Sequence, residues 1–233
     1  MSPFRKLPAG FSIAKAREAQ KRLCMSILQE DALPDKINLV AGVDVAYADE
    51  KAVGAVTVLD YGSLRIVESV TAWVRVKFPY IPTLLSFREL PAALAAIRTL
   101  KTQPEVFLVD AHGLAHPFCC GFASHLGLAI GKPTIGVAKS RLFGEPEEIG
   151  GKQFLVHEGK AVAAVLTTQK YAKPVYVSVG HLVSLRTSIR IVEHFVRGNR
   201  IPAPLAEAHK LASEKAREAL STSVETRKDS VMT

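Results

Sequence analysis

The sequence predicts an α/β fold in which helices cover both faces of a mixed sheet. Three strand-like runs follow one another at residues 38–47, 52–60 and 64–77, separated by short turns that are typical of an antiparallel meander. After residue 84, helical and strand-like patterns alternate along the chain. A meander followed by alternating helices and strands is typical of a mixed sheet that is covered on both faces.

Each element follows from its local pattern. Apolar residues at helical spacing, with lysine and arginine between them, predict a helix with a basic outer face at 12–29. A second helix is predicted at 84–100, where Pro91 could kink or restart it. The remaining predicted elements are a strand ending at Asp110, a helix near 119–130, a strand at 133–138, a hairpin of strands at 153–157 and 161–168, a strand at 175–179, and helices at 182–197 and 204–218.

Composition and charge indicate a globular protein with a polyanionic partner. Hydrophobic residues make up 48% of the 233 residues, which is enough for a sizeable core. The formal net charge of +8 favours nucleic acid through phosphate contacts, although a basic protein without such a partner is the alternative. No repeat or long linker divides the chain, so we expect one domain over 1–233, with a flexible polar tail over about 220–233.

Cysteine usage and hydropathy predict a cytoplasmic protein without a membrane partner. Cys24, Cys119 and Cys120 are odd in number and lack the spacing of a disulfide framework, which is typical of a reducing compartment. There is no CxxC pair, so a structural zinc site is not expected. No secretory signal is recognisable, and no run approaches the roughly 18 apolar residues of a membrane span.

Two carboxylates are carried by apolar strands. Asp110 directly follows the run 106–109, and Asp44 lies within the run 38–46. The carboxyl end of a strand is where α/β proteins place ligands, and a buried carboxylate is costly unless it is paired, for example with a divalent cation. Together they predict a metal-dependent reaction on a phosphate, the alternative being that each is capped or salt-bridged in the core. Glu89, on a helix between them, would by its pattern alone be an ordinary solvated glutamate.

Other polar and aromatic residues allow two interpretations each. Lys139 follows a buried strand and could hold a phosphate as a point charge or be a solvated lysine. The segment 78–82 presents an aromatic ring between prolines, which could enter a base stack or pack in the core. His112, His116 and His125 lack the spacing of a zinc site and are interpreted as hydrogen-bonding loop or cap residues.

Several short runs stand in a defined order along the chain. They are Val40–Tyr47, Pro79–Pro82 with Leu84, Leu85 and Phe87–Glu89, Asp110–Gly113 with Ala115–Pro117, Gly121–Gly127, Gly136–Ser140 and Val179–His181. Together they resemble the endonuclease V family, nucleases that repair deaminated bases. The resemblance spans about residues 10–210. It implies a ribonuclease H-like fold and a Mg²⁺-dependent nick at the second phosphodiester 3′ to deoxyinosine, leaving 3′-hydroxyl and 5′-phosphate ends, with Mn²⁺ expected to substitute for Mg²⁺.

The resemblance also implies catalytic roles. Asp44 and Asp110 resemble the metal-binding aspartates of the family, and Glu89 resembles its active-site glutamate. Lys139 resembles the lysine near the scissile phosphate. His209 is the best match to an Asp or His that the family carries on its C-terminal helix.

The same resemblance assigns residues that would read the base. Tyr80 resembles the wedge tyrosine that fills the gap left by a flipped base. The expected wedge segment consists of Pro79, Tyr80, Ile81 and Pro82. The expected base pocket consists of Thr83, Leu85, Ala111, Gly113, His116 and Gly121.

Three positions depart from the family pattern. Thr83 and Ala111 stand where the family usually has glycine, and Phe118 stands where it usually has arginine. Because glycine lets backbone approach a ligand closely, the added side-chain atoms should narrow the pocket and alter base preference, whereas the metal site is untouched.

The leading interpretation is a DNA endonuclease that acts as a monomer on DNA containing deaminated bases. Two alternatives stay open at this point. One is a nuclease directed at inosine in RNA. The other is a nucleic-acid-binding protein on a ribonuclease H-like scaffold with altered base preference.

Overall fold

The computed structural model describes residues 10–229, with side chains described for residues 10–222. The elements, in chain order, are α1 (Ile13–Cys24), β1 (Leu39–Ala48), β2 (Lys51–Asp60), β3 (Ile66–Arg75), α2 (Leu85–Ile97), β4 (Val106–Val109), α3 (Phe122–Ile130), β5 (Thr134–Ala138), β6 (Glu145–Ile149), β7 (Lys152–His157), β8 (Lys160–Leu166), β9 (Val175–His181), α4 (Leu185–Phe195) and α5 (Ala203–Asp229).

All strands within residues 10–229 belong to one mixed sheet, in the order β3-β2-β1-β4-β5-β9-β8-β7-β6. β4 pairs in parallel with both β1 and β5, and the other neighbours are antiparallel. The predicted meander of β1 to β3 is therefore confirmed. The parallel register opposes Val43 to Val109, so the next residue on each chain, Asp44 and Asp110, falls at the same edge of the sheet.

Alternation along the strands gives the sheet two buried faces. On one face, Val40 packs with residues of α4 and α5 such as Leu205. On the other face, Val43 packs with α2 and α3, for example with Ala93 and Leu126. The predicted arrangement of helices on both faces is confirmed, and each central strand is apolar because both of its faces are covered.

The start of α5 lies directly against β1 at Gly42. A Cβ atom on Gly42 would stand 2.0 Å from the carbonyl oxygen of Pro204, so the close approach requires glycine. Asp44 lies two residues further along β1, on the same face as Gly42. His209 lies five residues after Pro204, less than one and a half helical turns along α5. The contact at Gly42 therefore holds the first turns of α5 beside Asp44, where His209 can reach it.

The structure corrects some predicted boundaries at the chain's middle. β6 was not predicted, because all its residues are exposed and its sequence has no apolar alternation; it forms the sheet edge by pairing with β7. α1 ends at Cys24 rather than at 29, because the backbone of Leu28 instead bonds with that of Leu182. α3 begins at Phe122 rather than near 119, since the Gly121 amide donates to Gly113 O.

At the end of the chain, the last helix is longer than predicted. α5 continues to Asp229, past the expected end at 218, so most of the predicted tail is helical in its backbone. Residues 230–233 of that tail lie outside the described residues. α2 runs through Pro91 without interruption. Among residues 10–229, no helix combines the length and the apolarity that crossing a lipid bilayer requires.

Candidate active site

Three residues from three elements converge at the edge of the sheet. Asp44 lies on β1, Asp110 directly after β4, and His209 on α5, and one ligand atom from each lies within 4.8 Å of the others. His209 Nδ1 is 2.7 Å from Asp44 Oδ2. Lys139, which follows β5, donates from Nζ to Asp110 Oδ2. Four residues singled out from the sequence thus form one cluster.

The electrostatics of this cluster suit a divalent cation. The side chains of Asp44 and Asp110 are only 14% and 12% exposed. Burial, and next the charge of Asp110, raise the pKa of Asp44 above its ordinary value. Two buried like charges are unfavourable side by side, and a cation between them would remove that repulsion. Two carboxylates, with an imidazole beside them and without a thiolate, could hold a divalent cation that prefers oxygen ligands.

Glu89 lies beside the cluster rather than within it. It is carried by α2, and its Oε1 accepts a hydrogen bond of 3.1 Å from the Tyr47 hydroxyl. Burial raises the pKa of Glu89 to about 8, and the charges of Asp44 and Asp110 act in the same direction against the Tyr47 hydrogen bond. Glu89 is therefore close enough to respond to the two aspartates and can exchange a proton near neutral pH.

Tyr47 and Arg88 complete this side of the site, and the sequence analysis predicted no role for either residue. The Arg88 guanidinium lies over the Tyr47 ring, 4.4 Å from its centroid, and donates to Phe78 O at 2.8 Å. The pair thus connects β1 and α2 to Phe78, the residue that directly precedes the wedge segment. One signal was available in the sequence: a tyrosine three residues after Asp44 on a strand lies on the opposite face, towards α2.

A cavity of about 340 Å³ shares a wall with the cluster, because Asp110 and Lys139 line both. Its lining contains most of the residues expected to recognise the base and wedge the stack, namely Tyr80, Pro82, Thr83, Leu85, Ala111, His116 and Gly121. Pro79 and Ile81 do not line it. Gly113 lies behind the wall, where a Cβ atom would stand 2.0 Å from Val179 O. The lining also includes Gln20, Ser86 and His112, which were not expected there.

Several residues of the cavity lining have a buried polar atom that forms no hydrogen bond within the described part of the chain. Six buried side-chain polar atoms in the described part of the chain form no hydrogen bond, and four belong to lining residues. These four are Gln20 Oε1, Thr83 Oγ1, Ser86 Oγ and His112 Nδ1. Because an unsatisfied buried polar group costs free energy, these four atoms make the cavity wall less stable than a fully hydrogen-bonded wall would be.

His116 is a neutral hydrogen-bonding residue of the wall. Burial lowers its pKa to about 4, and it is 4% exposed. Its Nδ1 accepts from the Phe118 amide at 3.2 Å, so the proton of the neutral ring belongs on Nε2. The ring also forms a hydrogen bond with the backbone of Thr83.

Tyr80 extends from the segment at the mouth of the cavity. Its side chain is among the exposed large hydrophobic residues, at 67%, which excludes a core position. The segment is anchored on both sides of the tyrosine, since Phe78 and Leu84 are buried against Ala16 of α1. An exposed ring on an anchored support is suited to contact another molecule.

The three departures from the family pattern have distinct surroundings. Thr83 adopts φ +72°, a left-handed conformation that is unusual for a β-branched residue and favours glycine. Ala111 is buried in the cavity wall. Phe118 lies outside the lining, where its ring contacts the Arg17 guanidinium at 5.4 Å and the His116 ring at 5.9 Å.

Comparisons with known proteins agree with this geometry. The family model for Endonuclease V matches residues 21–210. A curated relative named Endonuclease V, from Thermofilum pendens, is 44% identical over 214 residues, covering 91% of this chain and 92% of its own. The crystal structure of Endonuclease V from Streptomyces avermitilis superposes with a TM-score of 0.83 at 38% identity, covering 91% of this chain and 97% of that one.

A further similar structure contains nucleic acid. It is Endonuclease V from Ciona intestinalis in complex with a 24mer DNA containing an inosine followed by a ribo-adenosine. Its TM-score is 0.79 at 30% identity, with coverage of 88% of this chain and 98% of that one. The similarity therefore extends over most of this chain.

Proposed function

Because this chain belongs to the endonuclease V family of nucleases, we propose that it nicks DNA at the second phosphodiester bond 3′ to a deoxyinosine. The products are a 3′-hydroxyl and a 5′-phosphate. One observation carries the proposal above the others: Asp110, which belongs to the cluster with Asp44 and His209, also lines the cavity that contains most of the residues expected to bind the base. Phosphodiester chemistry and base recognition thus lie side by side.

Asp44 and Asp110 are the residues that would hold the metal, for which we propose Mg²⁺, with Mn²⁺ as a substitute. When bound, the cation supplies Lewis-acid polarisation of the phosphate and activation of water. His209 orients the Asp44 carboxylate through the contact at 2.7 Å. The neighbouring backbone of Val45 also donates to Asp44, so the carboxylate is held from two sides.

In this proposal Lys139 binds the phosphate and Glu89 transfers a proton. Lys139 pairs with Asp110, so its ammonium group lies at the cluster, where it can bind a phosphate oxygen as a point charge. Glu89, with its pKa raised to about 8, can accept or release a proton at its carboxylate. Tyr47 holds that carboxylate in place through its hydroxyl.

The cavity takes the flipped base in this proposal. Enzymes that act on a base remove it from the stack and read its edge in a pocket. Tyr80, exposed at the mouth, fills the gap that the base leaves, as an aromatic side chain stacks on neighbouring bases. The Ciona intestinalis complex with inosine-containing DNA supports DNA as the partner.

We also propose that the protein works as a monomer in the cytoplasm. A single chain supplies both the cluster and the cavity. The three free cysteines suit a reducing compartment.

A matched oligonucleotide panel tests the proposed activity. The full chain is incubated with Mg²⁺ and duplex or single-stranded substrates carrying inosine, xanthine, uracil, an abasic site or no lesion, each as DNA and as RNA. We expect nicking of inosine DNA at the second bond, and none by Asp110→Asn. Preferential cleavage of RNA would favour the RNA nuclease, and binding without cleavage in both Mg²⁺ and Mn²⁺ would favour the binding protein.

A further inference from the structure

Helix α1 carries one fully buried polar side chain. Ala16 and Gln20 are the buried residues of this helix, and Gln20 is 0% exposed. The Gln20 amide nitrogen, Nε2, donates to Thr83 O at 2.8 Å and to Cys120 O at 3.0 Å. One amide group therefore satisfies two backbone carbonyls that are distant in the sequence.

These two carbonyls come from separate segments of the chain. Thr83 belongs to the segment that presents Tyr80, and Cys120 precedes Gly121 at the start of α3. The orientation of the amide is unambiguous, because reversing it would place Oε1 against two carbonyl oxygens. The side chain thus ties segment 78–84, which presents Tyr80, to the loop that precedes α3.

Packing alone does not explain a glutamine at this position. Ala16, Phe78 and Leu84 already join α1 to the wedge segment through apolar contacts. A buried amide adds a desolvation cost, which is larger here because Gln20 Oε1 has no partner in the described protein. An apolar side chain of the same length would fill the space without that cost, so the two hydrogen bonds are the feature that distinguishes glutamine.

We propose that Gln20 is a positioning residue for lesion recognition, acting by holding segment 78–84, which presents Tyr80, against the loop that precedes α3. This inference rests on the proposed function. A segment held in its binding geometry before the base arrives loses less entropy on binding, so the wedge acts at once when the base flips. His116 holds the same Thr83 backbone from the other side, which leaves the segment few other positions.

The test uses Gln20→Met, which keeps the length and apolar volume but removes both donors. The first measurement is amide hydrogen exchange over residues 78–84 in the free protein, which needs no substrate. The second is the single-turnover rate on inosine in duplex and in single-stranded DNA. We expect faster exchange, and a roughly tenfold slower rate on duplex that follows from losing one to two buried hydrogen bonds. Single-stranded inosine should be much less affected, because no base stack has to be held open.

Thr134→Val is the matched control. Thr134 Oγ1 donates to Ala123 O at 2.9 Å in a buried position that does not line the cavity, and valine has nearly the same shape. This variant loses a buried hydrogen bond to a carbonyl and should lower both rates equally, if at all. Gln20→Asn, which keeps a neutral amide but is one methylene shorter, replaces Gln20→Met if that variant does not fold.

A double variant with Tyr80→Ala completes the test. If Gln20 acts through the wedge, Gln20→Met has no further effect on the preference for inosine once the ring is absent. Unchanged exchange over 78–84, equal losses on duplex and single strand, or fully additive effects with Tyr80→Ala would each overturn the inference. A wild-type protein that ignores inosine would instead remove the proposed function, and the exchange measurement would still decide whether Gln20 holds the segment.

Discussion

Replacing Thr83 with glycine should stabilise the protein and widen the cavity at the same time. Thr83 adopts φ +72°, and its Oγ1 is buried without a partner. The strain at this backbone conformation and the cost of the buried hydroxyl both come from the side chain of Thr83. The carbonyl of Thr83, which accepts from Gln20 Nε2, is a backbone group and remains available in the variant.

The expected magnitude is a balance of four terms. Relief of the left-handed conformation contributes about 1–2 kcal/mol, and removal of an unsatisfied hydroxyl about 1–3 kcal/mol. The greater freedom of glycine in the unfolded chain costs about 0.4–1 kcal/mol, and the lost carbon atoms about 0.8 kcal/mol each. The net gain in the free energy of unfolding is therefore about 1 kcal/mol, which corresponds to a rise of about 2–4 °C in Tm for a chain of this size.

Thermal unfolding of Thr83→Gly beside Thr83→Ala separates these terms. Alanine loses the same hydroxyl but keeps the Cβ atom, so it keeps the backbone strain and should be less stable than glycine. The combined Thr83→Gly and Ala111→Gly variant should also cut xanthine more readily relative to inosine, since one steric contact is worth about 10- to 200-fold in specificity. A Thr83→Ala protein as stable as Thr83→Gly would refute the strain argument, and an unchanged base ranking would refute the narrowed cavity.

Four further outcomes follow from the structure. Asp44→Asn should abolish both cleavage and the rise in Tm that Mg²⁺ causes. Without metal, its Tm should be higher than that of the wild type, because one of two repelling buried carboxylates is neutralised. A metal-free Tm below that of the wild type would contradict this. Tyr80→Ala should lower the preference for inosine over normal duplex about tenfold while sparing binding to undamaged DNA, as judged by parallel cleavage and binding titrations. Burial lowers the pKa of His116 to about 4 from about 6.5 in the unfolded chain, so the unfolded state binds more protons between these values and stability falls as pH drops through this window. Between pH 7 and pH 4.5, the free energy of unfolding measured by denaturant titration should fall about 2 kcal/mol less for His116→Gln than for the wild type. An equal fall in both proteins would show that other groups cause the pH dependence. Gly42→Val should cost about 1–3 kcal/mol and slow cleavage by displacing α5, whereas Gly62→Ala, whose Cβ atom would meet nothing nearer than 3.6 Å, should be close to neutral in both measurements.

The sequence determined the strands and the residues at their ends. Apolar runs of strand length, interrupted by a single carboxylate, placed Asp44 and Asp110 correctly because burial and strand period are local properties of the chain. The parallel pairing of β1 with β4 then placed both aspartates at one edge. The motifs around Glu89 and Lys139 assigned these residues to a family whose membership the comparisons confirm.

Contacts between distant parts of the chain could be seen in the tertiary structure alone. His209 and Asp44 are 165 positions apart, and their contact depends on how closely α5 approaches β1 at Gly42, which no local pattern encodes. β6 escaped prediction because an exposed edge strand needs no apolar period. The backbone conformation of Thr83 was equally hidden, since it is imposed by the packing of the surrounding segment.

Gln20 illustrates the difference between what helical spacing predicts and what depends on tertiary contacts. It lies four residues after Ala16, on the buried face of α1, but the sequence analysis did not single it out because its side chain is polar. Its two acceptors come from Thr83 and Cys120, 63 and 100 positions away. Sequence period determines which way a side chain points, whereas its partners are determined by the close packing of the whole fold.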